Sequence, residues 1–445
     1  MSNGQGTFRN RKRFHRSMPT ATLLSLAVAI PGTSSALDVD YEIGVGAKHS
    51  DNITLSETNE ISETVVYPLL RFEAEQDGPR VQMAAIGDAQ YRHYIDDTFD
   101  DELRGSLAGK LNWTIVPERV DFVVQDYLSR QPVNDLEPVT PNNEQQANVF
   151  IAGPSFYARF NSTTRGQLDL RYTNSYAEEN DAFNGDRYDG AIRLRRELSA
   201  TQAVSGNLEA VQTEFDDLGA ASDYRAYNAY VGYEAQWRVI DADIDLGYAR
   251  LEPRNNGENE SSALVRASFD WRASPRSLLS ADLRHQLTDA TQTLIAPSID
   301  LDRRIFNDLR YLDVSLRPNP FRERFARVRY QFTSDRLTAQ VAPYYRRVRY
   351  LDDVFEDQDR RGVLLNLEYR LRPRLDLSVL AVREDRKYID LARTDEDTGF
   401  SIGLSNRFSR HLTGRIDFQR LERDSDAIGR SYDANAVVVT FTWRR

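Results

Sequence analysis

Apolar and polar positions alternate along this chain from residue 39 onward, in runs of about a dozen residues separated by breaks. In the run 263–271, for example, Val265 and Phe269 are apolar, whereas Arg266 and Asp270 are polar. A period of two is typical of a β-strand, because successive side chains point to opposite faces of the sheet. About twenty such runs, with no helical segment predicted between them, require a closed sheet with one apolar and one polar face. The pattern therefore predicts an all-β fold, a transmembrane antiparallel up-and-down β-barrel.

The breaks between the runs are of two kinds, and the two kinds alternate. One set is short and covers residues 77–80, 116–119, 161–165, 199–202, 273–276, 372–374 and 409–411. The other set is longer, mostly acidic, and covers residues 51–60, 96–102, 131–146, 178–186, 252–260, 351–361, 389–398 and 423–430. Bacterial outer-membrane barrels have short periplasmic turns and longer extracellular loops. The alternation therefore predicts which end of each strand faces the periplasm.

Counting the runs gives twenty strands, within a range of about 16–22, and bacterial barrels have an even number. A barrel of this width encloses a water-filled lumen unless part of the chain fills it. Only the stretch 289–322 does not fit the alternation. We expect this stretch to form a long outer loop, a plug folded into the lumen, or an extra strand at 311–316.

The four tryptophans, Trp113, Trp237, Trp271 and Trp443, each lie near the end of a strand that runs towards the periplasm. Trp and Tyr prefer the interface between membrane and water, where the ring is buried and its polar group stays hydrated. The four positions therefore predict a periplasmic aromatic girdle. The alternative is four core tryptophans that lie at these positions by chance.

Residues 1–36 differ from the rest of the chain. A basic segment at 9–16 precedes the apolar run 21–30, and small residues follow at 34–36. This order predicts a cleaved secretory signal peptide, so the predicted domains are the signal peptide at 1–36 and the outer-membrane β-barrel at 37–445. Removal of five basic residues changes the net charge from −11 to −16. The acidic excess argues against nucleic acid as a partner.

We expect no cofactor, no metal and no catalytic residue. The chain contains no Cys, and its five His are scattered, so neither a thiolate site nor a His cluster is predicted. A barrel hydrolase would need a nucleophile or an activated water beside a His at the rim. His93 and His285 have no such partner nearby in the sequence. The protein is therefore predicted not to be an enzyme.

If the apolar positions face lipid, the polar positions between them line the lumen. Nine arginines are candidates for this wall: Arg171, Arg193, Arg195, Arg266, Arg284, Arg327, Arg329, Arg370 and Arg415. Acidic residues such as Asp169 and Asp417 share the same face. The charges either pair across strands and stiffen the wall, or form a path for an anionic or hydroxyl-rich polymer. The sequence leaves both interpretations open.

The last run carries apolar side chains on one face, namely Val437, Val439, Phe441 and Trp443. A terminal amphipathic strand with an aromatic residue near its end resembles the recognition signal of outer-membrane barrels. The resemblance implies the barrel assembly machinery as a partner. Arg444 and Arg445, which follow the aromatic residue, depart from the commonest form of this signal.

Four segments carry a further resemblance: 51–53 (Asp-Asn-Ile), 129–133 (Ser-Arg-Gln-Pro-Val), 138–143 (Pro-Val-Thr-Pro-Asn-Asn) and 171–173 (Arg-Tyr-Thr). They resemble the EpsL-like, PEP-CTERM-system-associated outer-membrane barrels that occur with exopolysaccharide loci in Gram-negative bacteria. The similarity runs through most of the mature chain, although its motifs are loose. It implies a part in exopolysaccharide secretion, with the polysaccharide and periplasmic export components as partners.

The sequence thus predicts a pore in the outer membrane of a Gram-negative bacterium, surrounded by outer-membrane lipid and taking part in exopolysaccharide export. One alternative is a diffusion porin for small solutes. Another is a barrel enzyme that acts on lipid or polysaccharide. The transported substrate, gating and oligomeric state are not predicted.

Overall fold

A computed structural model describes residues 37–216, 223–254, 258–298, 316–351 and 357–445. These residues form one sheet of twenty antiparallel strands and one α-helix. The predicted signal peptide at 1–36 lies outside the described residues. Of the alternative extra strand at 311–316, only Leu316 is described, and it is not in a strand.

Ten strands run from the short turns towards the long loops: β1 (Asp38–Ser50), β3 (Val81–Tyr94), β5 (Val120–Pro132), β7 (Thr164–Ala177), β9 (Gln202–Phe215), β11 (Ile240–Pro253), β13 (Ser277–Thr288), β15 (Leu337–Tyr350), β17 (Leu375–Tyr388) and β19 (Leu412–Ser425). Ten strands return: β2 (Glu63–Asp77), β4 (Glu102–Val116), β6 (Glu144–Arg159), β8 (Gly185–Ser199), β10 (Tyr224–Gln236), β12 (Glu260–Ser274), β14 (Phe321–Thr333), β16 (Gln358–Arg372), β18 (Arg393–Arg407) and β20 (Tyr432–Arg444). The helix α1 (Ala290–Ser298) follows β13, and short 3₁₀ turns occupy Pro141–Asn143 and Asp181–Phe183.

Each strand pairs with its neighbours in sequence, and β1 pairs with β20, so the sheet closes on itself. The seam between β1 and β20 is tight, because a Cβ atom at Gly44 would overlap the carbonyl oxygen of Phe441. Beyond the outer end of β1, the buried Asn52 side chain donates to the carbonyl oxygens of Ser56 at 2.8 Å and of Asp433 at 2.9 Å. The structure therefore confirms a closed barrel of twenty strands.

The two faces of the sheet differ as the alternation predicts. Large apolar side chains such as Leu246, Leu283 and Ile402 are exposed on the outside, while the positions between them point into the barrel. On β3, Tyr91 lies ten residues above Val81, which pairs with Trp113. That spacing corresponds to about 26 Å along the membrane normal at a strand tilt of about 40°. The apolar belt thus has the height of a bilayer core.

The sequence predicted no helix, and the helix α1 shows that this expectation was wrong. The helix starts where the chain leaves the outer end of β13, and Asp289 caps it by accepting a hydrogen bond from the backbone N–H of Gln292 at 2.8 Å. A segment that leaves the sheet has no neighbouring strand, so its backbone must satisfy its own hydrogen bonds. Of the helices in the described residues, none is long and apolar enough to cross a membrane.

The outward position of Ile402 provides a test of the register. We expect Ile402→Arg to lower the free energy of unfolding by about 2–4 kcal/mol, because it places a charge in hydrocarbon. Denaturant unfolding in lipid vesicles measures this loss. The control is Ser401→Arg, one residue earlier and on the lumen face, which should lose much less. Equal losses would contradict the assignment of the faces.

Candidate functional site in the outer lumen

The loop between β5 and β6, residues 133–143, crosses the lumen, and we call it the crossing loop. The backbone carbonyl of Asp135 accepts a hydrogen bond from the Tyr388 hydroxyl at 3.0 Å, and its carboxylate accepts one from Gln358 at 3.3 Å. The Arg393 guanidinium donates to the carbonyl oxygen of Leu136 at 2.8 Å. These partners lie on β16, β17 and β18, nearly opposite β5 in a ring of twenty strands. The loop therefore bridges two opposite walls.

The crossing loop is held in shape by Asn143. The side-chain oxygen of Asn143 accepts from the backbone N–H of Asn134 at 2.9 Å. Its amide donates to the carbonyl oxygens of Asn134 at 2.8 Å and of Pro138 at 3.0 Å. Pro141 begins the 3₁₀ turn that precedes β6. The segment 138–143, one of the four that carry the family resemblance, thus shapes this loop.

The contacts of the crossing loop show how close the walls approach. A circular ring of twenty strands, spaced about 4.8 Å apart and tilted by about 40°, would be roughly 40 Å across. Asp135 is only three residues beyond Pro132, the last residue of β5, so the backbone reaches at most about 11 Å from that wall. The side chains of Gln358, Tyr388 and Arg393, which contact the loop from the opposite wall, are much shorter than the distance that would remain across such a ring. The lumen at this level is therefore narrower than a circular ring.

The helix α1 fills another part of the lumen. Leu294 is buried in a cluster with Tyr127, Val149 and Phe183, which belong to β5, β6 and the loop after β7. Asp289 anchors the start of the helix, because its carboxylate accepts from Arg187 at 2.8 Å and from the Tyr224 hydroxyl. The described part of 289–322 therefore folds inward, as the plug interpretation predicted.

Three inward-facing arginines stand directly opposite one another at this level, and we call them the arginine row. Arg346 on β15 pairs in register with Arg360 on β16, which pairs with Arg386 on β17. All three side chains are buried. Like charges placed opposite each other destabilise a sheet, so this row requires compensation from its surroundings.

Polar side chains of the same wall supply that compensation. Glu323 lies 2.9 Å from Arg346, and Glu384 lies 2.8 Å from Arg386. Glu384 also accepts a hydrogen bond from the Tyr344 hydroxyl at 2.5 Å. The Arg360 Nε donates to Gln358 at 2.6 Å, and Gln358 in turn contacts the crossing loop. The arginine row and the crossing loop are thus one connected network.

A cavity of about 180 Å³ lies beside this network, between the crossing loop and the wall from β17 through β20 to β5. Its basic lining residues are Lys48, Arg92, Arg104, Arg130, Arg386 and Arg423. Several carboxylates also line it, and some are already engaged, since Glu144 contacts Arg104 at 3.0 Å and Asp397 contacts Arg423 at 2.6 Å. The cavity is therefore a polar site in the outer lumen.

Three buried atoms at the cavity have no hydrogen-bond partner among the described residues: Arg92 Nε, Arg423 Nη1 and Asp135 Oδ1. Arg92 also lacks a carboxylate partner there, because its contacts are Gln90 at 3.4 Å and the face of the Tyr67 ring. Buried guanidinium N–H groups without a partner can bind the oxygen atoms of a solute. The cavity is therefore suited to small solutes with oxygen acceptors.

The nine arginines proposed from the sequence all lie on the inward face. Six are within 4.0 Å of a carboxylate: Arg171 with Asp169, Arg195 with Glu234, Arg284 with Glu323, Arg327 with Asp282, Arg370 with Asp376, and Arg415 with Asp417. Arg193 donates to Asn207, and Arg266 donates to Gln286. Arg329 shares this face, between Arg327 and Gln331. The geometry of these residues favours the paired wall over an open arginine path.

Sequence reasoning missed the arginine row and the cavity. The residues concerned lie at the outer ends of the strands, next to the long loops, where the alternation is followed by charge clusters such as 346–349. Those clusters were a usable signal. The sequence did not show that these residues meet in the lumen, because their meeting depends on which walls the inward-folding loops reach.

The four tryptophans that the sequence analysis assigned to an aromatic girdle lie at one end of the barrel. They are exposed at the short-turn ends of their strands: Trp113, Trp237, Trp271 and Trp443.

Asp51, which follows β1, accepts hydrogen bonds from the backbone and side chain of Asn435 at 2.7 and 2.9 Å. Burial opposes ionisation of Asp51, but these hydrogen bonds outweigh it and lower its pKa. Asp51 therefore fastens the seam of the barrel.

The two histidines considered above as catalytic candidates, His93 and His285, each make a side-chain hydrogen bond. His93 is hydrogen-bonded to Asp101 at 2.9 Å, and this bond lowers the pKa of Asp101. His285 Nε2 lies 3.0 Å from the Ser262 hydroxyl, but among the described residues no carboxylate contacts its other ring nitrogen. The pair therefore lacks the third member of a catalytic triad. In the same residues, no group of three or more His, Asp or Glu side chains could hold a metal ion.

The closed twenty-stranded sheet, its apolar outer belt and its polar lumen define a porin-like β-barrel of the Gram-negative outer membrane. A family described as "Putative beta-barrel porin 2" matches residues 358–445, which form the last five strands. No curated protein matches the sequence.

Several solved structures resemble this chain over most of its length. The ferric enterobactin receptor PfeA of Pseudomonas aeruginosa is 8% identical, with a TM-score of 0.45 over 92% of this chain and 81% of that chain. OccK2 (OpdF) of the same organism is 11% identical, with a TM-score of 0.39 over 92% and 98%. The FrpB iron transporter of Neisseria meningitidis is 7% identical, with a TM-score of 0.43 over 91% and 81%.

Loosening the crossing loop should widen the pore. We expect the double variant Asp135→Ala and Glu137→Ala, which removes the contacts of these side chains to Gln358 and Arg430, to raise single-channel conductance by about twofold. Planar-bilayer recording measures this change. The control is Glu396→Ala, on the outer surface, where a carboxylate is lost without contact to the loop. Unchanged conductance in the double variant would contradict a constricting role.

The compensation of the arginine row can be tested on Arg386. We expect Arg386→Met to lower the free energy of unfolding by about 3–5 kcal/mol, because it leaves Glu384 buried without its charged partner. The double variant Glu384→Gln, Arg386→Met should lose less than the single variant. Denaturant unfolding in vesicles compares the two. A larger loss in the double variant would show that the pair is not coupled in this way.

Proposed function

We propose that this protein is a diffusion porin for small solutes, with a preference for solutes that carry a carboxylate. The observation that carries the proposal is the constriction of the outer lumen by the crossing loop and the helix α1, beside a cavity lined by six basic residues. A narrow passage selects by size, and fixed charges on its wall set the local concentration of counter-ions.

The preference for anions rests on the chemistry of the cavity. The guanidinium fork matches a carboxylate in two parallel hydrogen bonds, and among the described residues Arg92 and Arg423 each have one guanidinium nitrogen without a hydrogen-bond partner. The lining carboxylates reduce this preference, because several of them neutralise neighbouring arginines. We therefore expect a modest selectivity for anions.

Export of an exopolysaccharide, the function implied by the family resemblance, stays a prediction. A polymer would have to pass the crossing loop, which joins opposite walls through contacts of Asp135, Leu136 and Glu137. The constriction favours small solutes over a chain of sugars. Deletion of the gene separates the two functions. Loss of carboxylate uptake with unchanged surface polysaccharide supports the porin, and the reverse result would replace it with export.

Arg92 provides the test of anion selectivity. We expect Arg92→Gln to lower the permeability ratio of chloride to potassium, because it removes a lumen charge without leaving a carboxylate unpaired. Reversal potentials in a salt gradient across a planar bilayer measure the ratio. The control is Arg361→Gln, which removes an equal charge from a side chain 78% exposed on the outer surface. An equal effect of both variants would contradict a site in the lumen.

A further inference from the structure

The short turns at the periplasmic end of the barrel share one residue type. Nine short turns join β2 through β19, and eight of them carry an arginine in the turn or at the second position of the next strand. These arginines, which we call the basic rim, are Arg80, Arg119, Arg165, Arg238, Arg276, Arg336, Arg374 and Arg410. All eight are exposed. The rim therefore presents a ring of positive charge around one end of the barrel.

The arginines of the basic rim differ from those of the lumen in their contacts. Arg165 lies 3.8 Å from Glu197. The guanidinium groups of the other seven make no ion pair and no hydrogen bond with any part of the chain that the structure describes. Acidic residues are scarce in the same turns, where Glu118 and Asp335 occur. Seven of the eight guanidinium groups therefore have no acidic partner among the described residues.

The level of the rim relative to the membrane is marked by tryptophan. Trp237 immediately precedes Arg238, and Trp271 lies five residues before Arg276. Both rings are exposed on the outer surface, by 41% and 42%. Tryptophan prefers the boundary between hydrocarbon and headgroups, so the rim lies at the level of the lipid phosphates. Its turns are too short to extend far into the periplasm.

We propose that the basic rim binds the phosphate groups of phospholipids in the inner leaflet and favours anionic headgroups. Arginine suits this role, because its planar fork donates two parallel hydrogen bonds to phosphate oxygens. A ring of such contacts surrounds the barrel with bound anionic lipid and holds it at a fixed depth. An acidic periplasmic polymer is the rival partner, but the short turns and the flanking tryptophans place the charges against lipid.

The test compares lipid association of purified barrels in nanodiscs of phosphatidylcholine that contain a minor fraction of phosphatidylglycerol. Spin-labelled forms of the two lipids report their association with the protein. The rim variant replaces four arginines by Gln: Arg80, Arg238, Arg276 and Arg374. The control variant replaces four arginines that face outward near the other end, with the same loss of charge: Arg250, Arg254, Arg361 and Arg383. Heat-modifiable migration verifies folding of each variant.

We expect the unmodified barrel and the control to favour phosphatidylglycerol several-fold, and the rim variant to lose most of this preference. High salt should weaken the preference, because the charges are exposed. If the fourfold variant does not fold, Arg238→Gln with Arg276→Gln should lose part of it. No preference in the unmodified barrel, or an unchanged preference in a folded rim variant, overturns the proposal.

Binding to isolated peptidoglycan sacculi tests the rival partner in the same proteins. Loss of sacculus binding in the rim variant, with lipid preference intact, would replace the lipid by the acidic polymer. Neither outcome bears on the porin function, since all eight arginines lie outside the constriction.

Discussion

Backbone hydrogen bonding in a medium without water is the constraint on which the rest of this structure depends. Hydrocarbon offers no partner to an N–H or C=O group, so a sheet in the membrane must have no free edge. Here the edge disappears where β1 meets β20, from Glu42 opposite Arg444 to Ser50 opposite Ala436. Asn52 binds the outer end of this seam to the backbone of β20, which explains its complete burial.

Closure also determines the electrostatics of the molecule. Apolar side chains occupy the outer face, so the polar side chains of twenty strands meet inside one lumen, where unpaired charges are unfavourable. Most lumen arginines therefore have acidic or amide partners; Arg415, for example, forms an ion pair with Asp417. The arginine row reaches a stable arrangement only with Glu323, Glu384 and the crossing loop. The rim arginines are exposed at the level of the lipid headgroups, outside the lumen, where pairing within the protein is not required.

The two inward segments turn a wide barrel into a selective passage. The crossing loop is rigid because Asn143 satisfies its backbone, and it is held at its far side by Tyr388 and Arg393. The helix α1 is fixed by Asp289 and by the apolar cluster around Leu294. The cavity lies between the crossing loop and the wall from β17 through β20 to β5.

The sequence by itself determined the number of strands and the face of the sheet on which each residue lies. These properties are local, because the alternation assigns Ile402 or Arg415 to a face without reference to any other strand. The tertiary structure alone decided the helix after β13, the path of the crossing loop and the meeting of Asp135 with Gln358. The contact between Asp135 and Gln358 joins residues 223 positions apart in the chain, on opposite walls. The alternation of apolar and polar residues shows on which face of the sheet a residue lies. Closure of the sheet determines which residues lie opposite it across the lumen.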